Sequence, residues 1–177
     1  MYFGWLTGSP YFSLNPPMLD RLISFLTNLP EAGHRVRAED DPRVAAAALM
    51  FHVINADGEM KDSEKKKLRS VLSQAYSVSG GELEDLIRAG EEADREAIDL
   101  YAFTRILKRH LDPDQRIEFI GLLWTLVYAD GRADELEDNT VWRIAELIGV
   151  DSRDRIAARR RIKATIAGAA DGPGTEQ

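Results

Sequence analysis

This chain predicts an all-α fold: a single helical domain of about seven to eight helices. Three observations predict it. Apolar residues recur at helical spacing in segment after segment. Pro, Gly, Asp and Ser stand between those segments where helix caps and stops belong. No stretch alternates apolar and polar residues as a strand does. With 177 residues, 44% of them hydrophobic and 30% charged, the chain can bury a core of its own.

Residues 1–17, aromatic and broken by Gly and Pro, read as an N-terminal extension to a domain at 18–167. Asn15 followed by Pro16-Pro17 opens a helix with Leu19, Leu22, Ile23 and Leu26 on one face. Asp41-Pro42 opens the next, 42–56, which is apolar on most sides (Val44, Ala45, Leu49, Phe51, Val53) and is therefore expected at the centre. Ala56-Asp57-Gly58 ends it, with Gly58 suited to a left-handed stop. Leu68, Val71, Leu72 and Ala75 mark a helix from Asp62 to Tyr76, and Ser79 caps another reaching about Ala93. A helix follows over about 97–110. Asp112-Pro113-Asp114-Gln115 then gives a capping box for one that ends at Ala129-Asp130-Gly131. Two more are expected, at 135–148 before Gly149 and from Asp151 to about Ala167, with a disordered tail at 168–177.

A shift of 73 residues aligns the chain with itself. Leu49 falls on Leu122, Ala56-Asp57-Gly58 on Ala129-Asp130-Gly131, and Glu64 on Glu137. The apolar faces of the following helices align as well. Repeat units at about 42–76 and 113–148, each a buried helix, an Asp-Gly turn and an amphipathic helix, would cover each other about a two-fold axis. Chance recurrence of caps and turns is the alternative.

The formal net charge of −7 argues against generic nucleic-acid binding, which needs a basic surface. Cysteine is absent, which removes disulfides, thiolate ligands and a cysteine nucleophile and fits a cytoplasmic location. Apolar runs such as 44–54 are too short for an integral membrane segment, and the N-terminus lacks a secretory pattern. The histidines, His34, His52 and His110, form no zinc or di-iron spacing, and His52 is expected in the core or an interface. No phosphate-binding loop or nucleophile elbow occurs. Residues 82–99 are acidic and read as a solvated face. The basic helix after Asp151 reads as exposed or docked on the protein's own acids. Trp124 and Trp142 are expected in the core.

Each Asp-Gly turn carries a Glu six residues after its Gly, the spacing of an EF-hand loop. Val53 and Leu126 stand where that loop's first ligand belongs, so these are not EF-hands. The gathered acids still suit a hard cation, Ca²⁺ or Mg²⁺, better than zinc. Against this, Asp in a turn bonds its own loop, and acids favour the start of the next helix without any metal.

The patterns NADGEMKDSEKKKL and YADGRADELEDNTV, each after an apolar helix, resemble the TerB-like family over roughly residues 40–150. That resemblance includes the related domain found with DnaJ-type co-chaperones. It implies an all-helical fold and a divalent-cation site in tellurite-resistance and other stress responses. Carried onto this sequence, the implied metal positions are Asp57, Glu64, Asp130 and Glu137. Asp134 is added from the local clustering of acids, although Lys61 is its counterpart in the first unit. The expected function is a non-enzymatic, cation-binding scaffold or sensor with protein partners, compatible with a homodimer. A purely structural interaction domain without metal is the alternative, and a metal-dependent hydrolase comes third, provided that the two turns meet in space.

Overall fold

The computed structural model describes residues 40–170, and all statements below concern those residues. The extension expected at 1–17 and the helix expected to open at Asn15-Pro16-Pro17 lie outside them. The fold is all-α, with seven α-helices in chain order. They are α1 (Pro42–Ile54), α2 (Asp62–Tyr76), α3 (Gly80–Glu96), α4 (Tyr101–His110), α5 (Pro113–Val127), α6 (Glu135–Ile148) and α7 (Ser152–Ala170), with a 3₁₀ turn at Tyr128–Asp130 after α5. No strand forms among them, and none of the helices is long and apolar enough to cross a membrane.

The caps explain most boundaries. Asp41 accepts the N–H of Arg43 at 2.8 Å, with Pro42 starting α1 where a missing N–H does no harm. Asp112 and Gln115 exchange hydrogen bonds at 2.9 and 2.7 Å, the capping box expected of α5. Asp151 accepts from Arg153 and Asp154 to start α7. Gly149, at φ +84°, closes α6, and Val150 N–H reaches back to Ala145.

Two helix ends and one cap stand out against expectation. The fourth helix of the described chain starts at Tyr101 rather than near 97, because Ala97 is extended and Asp99 accepts the N–H of Tyr101 at 2.8 Å. Ser79 sits at the N-cap of α3, but its side chain makes no capping bond. The last helix continues to Ala170, three residues into the expected tail, since the Ala-rich run Ala167–Ala170 favours helix.

α1 is central. It is buried on nearly all sides and packs against α2, α3, α4, α5 and α6. Its run Ala45–Ala48 presents almost no side-chain bulk, which lets α3 approach closely at Gly90. A Cβ on Gly90 would stand 2.5 Å from Ala47 Cβ and 3.2 Å from the Ala47 carbonyl carbon. Leu68, Leu72, Phe119, Leu123, Leu126, Val141 and Ile144 close the rest of the core.

α7 packs against α5, with Ala158 buried and Ile162 and Ile166 against the core, and one basic side chain ties the two together. Arg159 sits 4.7 Å over the Trp124 ring, donates to the Tyr128 hydroxyl at 3.0 Å and pairs with Asp138 at 3.1 Å. Trp124 is in the core as expected. Trp142 is not. It is 44% exposed, on the outer side of α6 with Arg155 over its ring, so a large aromatic in the second unit did not imply burial. His52 is also half-exposed rather than core, with Nδ1 2.8 Å from Asp94 Oδ1.

Candidate metal centre

The two Asp-Gly turns are built alike. After α1 and after α5 the chain reverses through Gly58 (φ +81°) and Gly131 (φ +85°), a region of backbone space that favours glycine. Each Asp bonds its own loop. Asp57 Oδ1 accepts the N–H of Glu59 at 2.8 Å, and Asp130 Oδ1 that of Arg132 at 3.0 Å. Each downstream Glu reaches back to the cap of its helix. Glu64 Oε2 accepts the N–H of Lys61 at 3.1 Å, and Glu137 Oε2 that of Asp134 at 2.9 Å. The likeness is one of turns and caps. Such elements recur in unrelated helical proteins, so it does not by itself make the halves a duplication.

The caps themselves differ. Asp134 Oδ1 accepts the N–H of Leu136 at 2.8 Å, completing a box with Glu137. Lys61 has no acceptor, so only the reciprocal half of that box exists at α2. Its ammonium is free to point elsewhere, and it crosses to the second turn. Lys61 Nζ lies 3.0 Å from Asp130 Oδ2 and 3.4 Å from Glu64 Oε1, so the two turns meet.

Two carboxyl groups are buried at this meeting point: Glu64 is fully covered and Glu137 is 1% exposed. Burial is the main force on Glu137, and the neighbouring charge of Glu64 adds to it. Together they outweigh the Asp134 N–H and Lys61, and its carboxyl is pushed up to about 7. Burial also acts to raise Asp130, but the N–H of Arg132 and the Lys61 ammonium prevail and hold it below its ordinary value. Lys61 is raised, first by its bond to Asp130 and then by the charge of Glu64. Glu64 Oε1 is buried and, with Lys61 Nζ 3.4 Å away, is held by an ion pair rather than by a hydrogen bond of good geometry.

Of the five residues the sequence nominated, three converge here: Glu64, Glu137 and Asp130. Asp57 is engaged by its own loop, and Asp134 caps α6. Glu64, Glu137, Asp130 and the loop carbonyls are hard oxygen donors, the chemistry that Ca²⁺ or Mg²⁺ requires. The arrangement is not a preformed shell, however. Among the described residues no three acidic or histidine groups are disposed to hold a metal, and Lys61 stands among those that approach it. Lys61 is the residue that sequence reasoning passed over. Its signal was present: under the 73-residue shift a lysine falls on an aspartate inside an otherwise acidic element.

A second feature is a groove of about 480 Å³ between the end of α1, the start of α4 and α6. Leu100, Leu136, Trp142 and Leu147 line it, with His52, Arg143 and Glu146 at its edge. Leu136 and Trp142 are among the few large apolar residues left exposed.

The family model described as tellurite resistance protein TerB matches residues 43–160, from the first turn of α1 to the middle of α7. Neither the curated proteins nor the solved structures contain a match. The matched region includes both turns, the buried glutamates and Lys61, and it covers well over half of the sequence. The chain belongs to the TerB family of tellurite-resistance proteins.

Proposed function

We propose that this chain is a non-enzymatic scaffold or sensor of the tellurite and stress response whose two turns share one divalent-cation site. Glu64, Glu137 and Asp130 would supply the side-chain oxygens, and Ca²⁺ or Mg²⁺ would be the ion. One observation carries this reading: two buried carboxyls, Glu64 and Glu137, influence each other at a point where a single ammonium, Lys61, pairs with Glu64 and Asp130. The charge is under-balanced. A buried carboxyl that retains a proton near neutral pH marks a place where a further positive charge is favoured. Asp57 and Asp134 are not part of the proposed set, since each already serves its own backbone.

Calorimetric titration of chelator-treated protein with Ca²⁺, Mg²⁺ and Mn²⁺ tests the reading. Saturable binding of one of them, lost in Glu64→Gln with Glu137→Gln, supports it. An unchanged titration in that double variant removes it. The exposed Leu136 and Trp142 beside the groove support the partner-binding half of the reading.

A purely structural role is the second reading, favoured by the capping bonds that Glu64 and Glu137 already make. It expects no cation-dependent rise in melting temperature, where a saturating ligand at about a hundredfold its Kd would add ~2.7 kcal/mol. The two turns do meet, as a hydrolase would need. No acid–base pair beside them singles out a reaction.

A further inference from the structure

We infer that the outer face of α6 is where two copies of this chain meet, packed antiparallel about a two-fold axis. The inference rests on the partner-binding half of the reading above, to which it gives a partner, and is independent of the cation half. Apolar exposure locates the face. Among the described residues, the large hydrophobic side chains left exposed are Ile98, Tyr101, Leu136, Trp142 and Ile156. Leu136 and Trp142 stand on α6. Ile98 and Tyr101 flank Leu100, which lines the groove beside α6, and Ile156 shares a smaller pocket with Trp142 on the side of α7. Five such residues around one helix form an apolar surface that marks a docking site.

Charge identifies what docks there. Asn139, Arg143 and Glu146, spaced four and three residues apart, run down the middle of the exposed face. Leu136 and Leu147 border that stripe toward α4, and Trp142 borders it toward α7. Arg143 and Glu146 lie one turn apart, yet neither pairs with the other or with any other described residue. A face with one charge of each sign beside its middle is complementary to itself when turned end for end. An axis level with Ile144 and Ala145 sets Arg143 opposite the partner's Glu146 and Glu146 opposite the partner's Arg143. One contact then joins four charges in two pairs, while the bordering Leu136, Trp142 and Leu147 are removed from water. An unrelated protein would have to match the apolar border and both charges separately. A second copy matches them by symmetry.

The test is sedimentation equilibrium of the full chain as wild type, Arg143→Glu, Glu146→Arg, the double exchange of both residues, and Lys66→Glu. Lys66 is exposed on α2, outside the face, and controls for net charge. Wild type is expected to dimerise in the micromolar range. Each single reversal sets like charges together in both pairs and should weaken the dimer by about tenfold or more. Net charge cannot produce this, because one reversal makes the chain more negative and the other less so. The double exchange restores both pairs and should recover the affinity to within about threefold. An equal mixture of the two single variants should form a mixed dimer, since every facing pair is again opposite in sign. Lys66→Glu should change the affinity by less than about twofold. Arg143 and Glu146 are exposed, so the variants keep the fold, which circular dichroism checks.

A wild type that stays monomeric at every concentration overturns the inference and leaves residues 1–39 or an unrelated protein to cover the face. A dimer indifferent to both reversals overturns it too, because the copies then meet elsewhere. A dimer weakened by the reversals but recovered neither by the double exchange nor by the mixture overturns the two-fold pairing. None of these results touches the cation reading, whose calorimetric test concerns residues at the two turns.

Discussion

Replacing Glu137 by Gln should stabilise the protein at pH 8 and have little effect at pH 5. The wild-type carboxyl is raised from an ordinary 4.5 to about 7, by burial first and by Glu64 second. The folded state thus holds this proton more tightly than the unfolded chain does. Stability from this group is fully present below about pH 4.5, declines as pH rises, and is lost above about pH 7. The difference in proton affinity is about 300-fold, which corresponds to ~3 kcal/mol at most, reduced by any water that reaches the ionised group. Glutamine keeps the acceptor that Glu137 Oε2 offers to Asp134 N–H, 2.9 Å away, so the cap survives while the titration is removed. Urea denaturation of both proteins from pH 5 to pH 8, in chelator, reads the effect. The stability difference should grow in favour of the variant by about 2–3 kcal/mol across that range. A difference that stays flat with pH would show that Glu137 ionises in the fold as freely as in water, and the crowded-carboxylate picture of the centre would be wrong.

Other perturbations separate the parts of the fold. Gly90→Ala sets a Cβ against Ala47 and its backbone at the α1–α3 crossing, where helix propensity alone would favour Ala. Overpacking should prevail and lower stability by about 1–3 kcal/mol in chemical denaturation. Asp112→Ala removes an exposed capping box and should cost about 1 kcal/mol by the same measurement without changing cation response. Asp57→Ala should leave a cation titration unchanged, whereas Asp130→Ala should weaken it, because only Asp130 faces the centre. Arg159→Ala should lower the melting temperature by loosening α7 from Trp124 and Tyr128, by about 1–2 kcal/mol, and Arg159→Lys should recover only part of it.

The helices were legible in the sequence because their signals are local. Asp41-Pro42, Asp112-Pro113 with Gln115, and Gly149 act on backbone groups within one turn of themselves, and all appear where the pattern put them. The central place of α1 was legible too, since a helix apolar on most sides has nowhere else to go. Exposure of single large residues was not. Trp142 and His52 lie on helix flanks whose cover depends on how neighbouring helices cross, and no local spacing encodes that. For the site, the acidic residue types and the two turns could be read, but the sorting among them could not. Asp57 and Asp130 have the same neighbours in sequence and bond their loops alike. They differ only because Lys61, on the other turn, reaches one of them.

That sorting bears on why the centre holds carboxylates at all. Capping does not demand them. At the start of α5 this chain fills the same box position with a neutral Gln115, whose Oε1 accepts the N–H of Asp112 at 2.7 Å. At α2 and α6 it uses Glu64 and Glu137 instead, where both are buried and close enough to repel, and where Glu137 is costly to ionise. Glutamine at those two positions would cap equally well and avoid the repulsion. Two buried acids therefore contribute something that the caps do not use, and a negative charge in a closed space is useful chiefly for holding a positive one. Lys61 meets part of that requirement. A proton on Glu137 meets another part below about pH 7. Glu64 Oε1 has the Lys61 ammonium 3.4 Å away, an ion pair rather than a close hydrogen bond. A structural role accounts for the caps and for Lys61, and the excess of buried acid over that one ammonium is what a cation, on the reading proposed above, would balance.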